Sequence, residues 1–365
     1  MNSVQLKDLC SVKSSTLKAG DVKNMNPGQY PVYGASGLIA DIDSFQHENP
    51  ALAIVKDGAG FGRVYKTPKK SSVVGTMQFI LPNEDVDRDY LYYVLNHIDF
   101  NKYRSGATIP HIYFKDYSSV QIKKHSLSEQ RIIAEKLDGV TGLIDKSYAE
   151  LEEFDQLVKS RFNELFINKN QNDKESLLKD VASLMSGITK GRRIKGPTIT
   201  VPYMAVSNVK DGYLDLSTIK TIEASEQEVE KYRLLPNDVL MTEGGDPDKL
   251  GRGCVIETPL HNCIHQNHIF RVRLNNRLLT PTYFQFYLQD KKAREYFLRS
   301  AKQTTGIASL NMTQLRNLPV IIPPIGQQLV FEEDVQVINK SKLAIQKSID
   351  ELETLKKKLM QEYFG

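Results

Sequence analysis

The chain has 365 residues, more than one hydrophobic core usually organises, so two domains are the starting expectation. Hydrophobic residues make up 40% and charged residues 25%, an ordinary globular composition with no apolar stretch long enough to span a bilayer. The net charge of +4 neither demands nor excludes a nucleic acid, so the local clustering of basic residues matters more than their sum. The N-terminus MNSVQLKDLC lacks a basic flank followed by an apolar core, so no secretory signal is expected. Three cysteines, Cys10, Cys254 and Cys263, are odd in number and without CxxC spacing, which fits a reducing cytoplasm rather than a disulfide framework.

In chain order, the first elements form a mixed α/β part. LAIVKDG (52–58) reads as a short apolar strand ending in glycines, and SVVGTMQFIL (72–81) as a second strand. DYLYYVLNHI (89–98) reads as a short helix and YSSVQI (117–122) as a strand. A long amphipathic helix follows. Ile133, Leu137, Val140, Ile144, Leu151, Phe154, Val158 and Leu165 recur at heptad spacing, interrupted at Ser147 and Arg161. A second α/β part has strands in DVLMTEGG (238–245), GCVIE (253–257), CIHQNHIFRVRL (263–274) and LPVIIPP (318–324), and a helix in TPTYFQFYLQ (280–289). The chain closes on another heptad helix through Phe331, Val335, Ile338, Ile345, Ile349, Leu352, Leu359 and Tyr363, interrupted at Lys342 and Lys356.

The two halves repeat each other. VQLKDLCSV (4–12) matches SLLKDVASL (176–184), and RSGATIPHIYFKDYSSVQI (104–122) resembles QTTGIASLNMTQLRNLPVI (303–321). In the helical tails Gln130 meets Gln328, Leu151 meets Ile349, and Phe166 meets Phe364. The expected organisation is therefore residues 1–126 and 170–325 as α/β parts, with 127–169 and 326–365 as long helices. At 1.5 Å per residue each helix is about 55 Å long, and such a helix must bury its stripe. If a pseudo-two-fold axis relates the halves, the helices pair antiparallel and hold the α/β parts apart. The simpler alternative packs each helix on its own α/β part.

Catalytic motifs do not emerge. DGAGFG (57–62) is GxGxG followed by Arg63, and no helix pattern follows it, so it reads as a tight turn with Lys56 and Arg63 at its rim. GITKGR (187–192) lacks Walker spacing, and no Asn-Pro-Pro-aromatic run, nuclease set or motor motif is present. His261, Cys263 and His265 alternate with His268 nearby, but nothing spaced to complete a zinc site accompanies them. No metal, cofactor or catalytic residue is therefore assigned. The side chains suited to DNA are basic and amide residues on loops. They are Lys56, Arg63, Lys66, Lys69, Lys70, Arg104 and His111 in the first half. In the second half they are Lys190, Arg192, Arg193, Lys195, Lys249, Arg252, Gln266, Asn267 and Lys302.

QYPVYGASGLIA (29–40), VKDGAGFGRVY (55–65) and GTMQFIL (75–81) resemble one form of the target recognition domain of type I restriction-modification specificity subunits. LLPNDVLMTEGGDPDKLGRGCVIE (234–257) with CIHQNHIFRVR (263–273) resembles another, and IPPIGQQ (322–328) resembles the junction into the family's conserved helix. KKHSLSEQ (123–130) lacks the corresponding proline. The resemblance covers nearly the whole chain. It implies two α/β target recognition domains separated by a pair of long antiparallel coiled-coil helices, with each domain reading one half of a split, asymmetric target in double-stranded DNA. It further implies that the helices set the spacing and dock two methyltransferase subunits, joined by restriction motor subunits. S-adenosylmethionine, ATP and Mg would be bound by those partners, with no membrane involved. Two other classes remain in view: a stand-alone enzyme acting on DNA, and a non-catalytic coiled-coil scaffold binding a protein partner.

Overall fold

A computed structural model describes residues 3–167, 174–194, 196–245, 250–304 and 307–365. The chain is mixed α/β and divides into two compact units, residues 1–151 with 344–365, and residues 152–343. In chain order the strands of the first unit are β1 (Ser3–Gln5), β2 (Cys10–Ser14), β3 (Pro27–Gly34), β4 (Gly37–Ile42) and β5 (Ala51–Val55). There follow β6 (Val64–Thr67), β7 (Ser72–Val73), β8 (Met77–Pro82) and β9 (Gln121–Lys123). The second unit begins with β10 (Lys174–Leu177), β11 (Ala182–Ser186), β12 (Ile199–Met204), β13 (Lys220–Ala224), β14 (Asp238–Thr242) and β15 (Gly244–Gly245). It continues with β16 (Gly253–Ile256), β17 (Ile264–His265), β18 (Ile269–Leu274), β19 (Lys302–Thr304), β20 (Ile307–Ser309) and β21 (Pro319–Ile322).

The internal repeat inferred from scattered sequence matches is present strand by strand. The order β2-β8-β5-β6 in the first unit recurs as β11-β18-β14-β16 in the second, and β4-β3-β7 recurs as β13-β12-β17. In both copies the last strand of the smaller sheet lies parallel to the middle one, and β1 pairs β9 as β10 pairs β21. β5 is buried at every residue and so is β14, which explains why both read as continuous apolar runs rather than alternating ones.

Three expected strands are each divided, DVLMTEGG into β14 and β15, which belong to different sheets. SVVGTMQFIL contributes β7 to one sheet and β8 to another, because the chain turns at 74–76, with Gly75 N donating to Leu17 O at 2.7 Å and Met77 N to Val74 O at 2.8 Å. CIHQNHIFRVRL divides in the same way into β17 and β18, with Asn267 N on Ile188 O at 3.0 Å and Ile269 N on Gln266 O at 2.9 Å. In SVVGTMQFIL the apolar run hides the change of sheet, and in CIHQNHIFRVRL the change falls at the polar residues Gln266, Asn267 and His268. Tyr117 of YSSVQI ends a short helix, Phe114–Tyr117, and the strand is β9.

The helices read at 89–98 and 280–289 run over Arg88–His97 and Pro281–Gln289, each started by a side-chain cap, Asp87 and Thr280 respectively. The first long helix spans Leu127–Phe162 and continues through a π turn, Asn163–Ile167, and the second spans Ile325–Phe364. Within the first unit the two run antiparallel, with Lys136 Nζ on the Tyr363 hydroxyl and Tyr148 Oη on Glu353. Within the second unit they do the same. Arg161 breaches the heptad seam but pairs with Asp334 at 2.8 Å, and Lys342 pairs with Asp155 at 2.6 Å. These two charged interruptions are thus answered across the seam by carboxylates, which favours one register. No seam residue named from the heptad spacing is exposed. Both long helices also pack on α/β parts. Ile133 and Leu137 join the core of the first unit, and Phe331, Val335 and Ile338 that of the second.

Gln130 and Gln328, matched in the sequence, do the same work in both copies. Gln130 Oε1 accepts from Asp87 N, while its amide nitrogen donates to the carbonyls of Asp85 and His125. Gln328 Oε1 accepts from Thr280 N, and its nitrogen donates to the carbonyls of Leu278 and Pro323. Each buried amide satisfies three backbone groups at the junction of strand, short helix and long helix. Among the described residues no helix is long and apolar enough to cross a membrane.

Candidate nucleic-acid interface

In both units the sequence-selected cations gather chiefly at one place, the C-terminal end of the buried central strand. The first unit builds it from the turn between β5 and β6. Gly62 N returns to Val55 O at 2.8 Å, a closure that uses positive φ at Gly58 (92°) and Gly62 (83°). The segment 104–113 is fastened to that turn. Gly58 N donates to Pro110 O and Ile112 N to Lys56 O, both at 2.9 Å, and His111 Nδ1 meets Asp57 at 2.7 Å. Lys56, Arg63, Arg104 and His111 are therefore brought to one edge. Arg63 and Arg104 are exposed and have no ion pair among the described residues, whereas Lys56 lies 3.6 Å from Asp57.

Three other candidates stand apart from that edge. β6 runs antiparallel to β5, so Lys69 and Lys70 fall at the opposite end of the hairpin. Lys70, at φ 57°, faces Glu48 at 3.8 Å and the ring of Phe45, while Lys69 is exposed. Lys66 is engaged inside the fold by Asp89 at 3.1 Å, Asp138 at 3.0 Å and the ring of Tyr92. Burial pulls its pKa down, but hydrogen bonds and attraction from Asp138 and Asp89 together outweigh it and hold the ammonium above the usual lysine range.

The second unit builds its edge at the end of β14. Glu243 N donates to His268 O and Leu310 N to Glu243 O, the same pair of bonds that Lys56 makes with Thr76 and Ile112 in the first unit. The basic loop after β11 is tied in through Ile188, whose carbonyl accepts from Asn267 N at 3.0 Å. Lys190 and Arg193 are exposed on that loop. Arg192 is instead fixed by Glu228 at 2.6 and 2.8 Å, and this guanidinium holds the Glu228 carboxyl down to about 2. Arg252 reaches the same edge, its carbonyl accepting from Thr242 N, with a buried Nε that has no hydrogen-bond partner among the described residues. Lys302, exposed on β19, joins through β20, which also pairs β15. Gln266 is committed to Val206 N at 3.2 Å. Lys195 and Lys249 lie outside the described residues.

The His-Cys run separates on folding. Cys263 and His265 are fully buried while His261 is exposed. His265 Nδ1 sits 3.1 Å from the Tyr232 carbonyl, and burial, aided by Arg271, pushes its pKa down to about 4. Among the described residues no group of three or more His, Cys, Asp or Glu is arranged to hold a metal ion. Burial pushes the thiols of Cys10 and Cys254 up to about 12 and that of Cys263 to about 11, far from a reactive thiolate. Asp57 and Glu243, at the two strand-end edges, are not among the residues singled out from the sequence, and His268 is noted there only beside the His-Cys run. A search for cations passes over carboxylates, although a carboxylate can orient a neighbouring base-reading group.

A duplicated α/β chain with paired long helices and two matching basic edges defines a class of architecture. The chain belongs to the type I restriction modification DNA specificity domain family, whose model matches residues 1–153 and 170–362. It is 25% identical over 263 residues to the EcoKI specificity subunit of Escherichia coli K12, covering 67% of this chain and 56% of that protein. It is 24% identical over 264 residues to the StySPI specificity subunit of Salmonella potsdam, again covering 67% and 56%. The chain thus spans little more than half the length of these relatives. In fold it is similar to the specificity subunit of a type I system from M. genitalium, with a TM-score of 0.63 and 16% identity over 100% of this chain and 96% of that one. A chain from a structure of type I restriction-modification complex assembly gives a TM-score of 0.57 at 14% identity, covering 99% and 97%.

Proposed function

We propose that this chain is the cytoplasmic DNA-reading subunit of a type I restriction-modification complex, without a catalytic site of its own. Each unit reads one half of a split, asymmetric target. One observation carries this reading: the two units share a strand order, and both place basic side chains at the same strand end, yet with different residues there. A shared scaffold with divergent edges suits two half-sites of different sequence. Two half-site readers on one chain gain affinity through effective concentration and lose it when the spacing is wrong. The long helices act as that spacer and dock two methyltransferase subunits. Leu143, Leu157, Val337 and Leu343 are 52%, 53%, 63% and 74% exposed on these helices, apolar surface suited to protein partners. Methyl transfer from S-adenosylmethionine and ATP-driven cleavage with Mg belong to the partner subunits.

Removing one heptad from each helix shortens the spacer by about 10 Å, or about three base pairs of duplex. The recognised half-sites are expected to stay the same while the gap between them contracts by about that amount. Mapping the sites modified by the assembled complex measures this. An unchanged gap contradicts the spacer role.

A further inference from the structure

The register relating the units aligns β5 Val55 with β14 Thr242, and β8 Met77 with β18 Ile269. Lys56, Thr76 and Gly75 of the first unit therefore occupy the positions of Glu243, His268 and Asn267 in the second. The second unit alone carries a hydrogen-bonded chain there. His268 Nδ1 meets the Glu243 carboxylate at 2.5 Å, and His268 Nε2 lies 3.2 Å from the Asn267 amide nitrogen. In the neutral tautomer that carries its proton on Nδ1, toward Glu243, Nε2 is an acceptor and takes one of the two N–H groups of Asn267. The other N–H and Oδ1 have no partner among the described residues. Together they form the donor–acceptor pair that matches N7 and N6 of adenine in the major groove. The surroundings suit DNA: the His268 side chain is 56% exposed, and Lys190 and Arg193 lie on the loop tied to Asn267 through Ile188. The first unit has its own imidazole–carboxylate pair, His111–Asp57, at the positions where the second has Ser309 and Gly244. There the pair joins two loops and presents no amide.

The geometry points to Asn267 as a specificity-determining residue that reads one adenine in the half-site of the second unit, with His268 and Glu243 as the residues that position its amide. This rests on the DNA-reading role proposed above and assigns one base of the target to one side chain.

The test uses the complex assembled with its methyltransferase subunits. The probes are duplexes in which each base pair of the mapped target is replaced in turn. Asn267→Ala is expected to lose about 10-fold to 100-fold discrimination at a single adenine position. Discrimination in the other half-site and the salt dependence of binding should be retained, which also reports an intact fold. His268→Ala should lose part of the same preference. His268→Gln, whose amide can donate to Glu243 and accept from Asn267, should restore it. Unchanged discrimination in Asn267→Ala overturns the assignment while leaving the DNA-reading role standing, and so does equal loss across both half-sites. If the unmodified complex binds all the probes alike, the assignment and the proposed function fall together.

Discussion

Replacing Phe331 with alanine is expected to cost the second unit about 3–5 kcal/mol, the range for deleting a buried aromatic ring from a packed core. Phe331 is fully buried, and three rings converge on it edge-on. Phe162 lies at 5.6 Å, Phe166 at 5.5 Å and Phe286 at 5.2 Å between centroids. Two of these come from the first long helix and its π turn, and one from the short helix Pro281–Gln289. The substitution therefore opens a cavity where both long helices meet the α/β part of that unit. Backbone hydrogen exchange in the assembled complex reads the effect by region. Amides of residues 152–343 should exchange at least about 100-fold faster where they open with the whole unit, and those of residues 1–151 should be unaffected. Glu333→Ala, at an exposed position on the same helix, should fall within about 0.5 kcal/mol of the parent. Equal, small effects for the two variants would mean that this aromatic cluster does not hold the unit together.

The second large effect is a pH dependence confined to the second unit. His265 is fully buried on β17, with a pKa pushed from 6.5 to about 4 by burial and by the neighbouring Arg271. In the unfolded chain the imidazole takes up a proton near pH 6.5, whereas the folded chain resists until about pH 4. The unfolded state thus binds more protons between these values. Stability is fully present above pH 6.5, falls as the pH drops toward 4, and is level below that. The shift corresponds to about 3 kcal/mol. The aligned residue of the first unit is Val73, also fully buried. His265→Val should therefore flatten the second unit's stability profile between pH 6.5 and 4, while losing the contact with the Tyr232 carbonyl at every pH. The difference between parent and variant isolates this imidazole from the other titrating groups. A parent profile as flat as that of the variant would contradict the account.

Much of this architecture is legible in the sequence because long-range order leaves periodic marks. Heptad spacing located both long helices, and a constant shift paired Gln130 with Gln328 before their bonding was visible. Phe162 and the core position of Phe166 are not given by the heptad spacing, which selects Arg161 and Leu165 around the start of the π turn at Asn163–Ile167. The residue that heptad spacing selects there, Leu165, is only partly buried, while the two phenylalanines sit in the core. The change of sheet at 74–76 is masked by the apolar segments that flank Gly75 and Thr76, whereas the polar residues Gln266, Asn267 and His268 do mark the one at 266–268. Residue type alone picks out cations but cannot tell which are already committed. Lys66 is held by Asp138, 72 residues away, and Arg192 by Glu228, 36 residues away. The edge at β14 depends on Glu243 orienting His268, a pairing that only the folded chain brings together.

The central claim is that this chain dictates where a complex modifies DNA. The most direct measurement is to co-express it with its methyltransferase subunits in a host free of adenine methylation, and to map methylated adenines across the genome. The account predicts a single split, asymmetric motif with a constant gap, present with the chain and lost when it is omitted. Methylation at the same sites with and without the chain would contradict it, and the helices would then be read as a scaffold for some other protein partner.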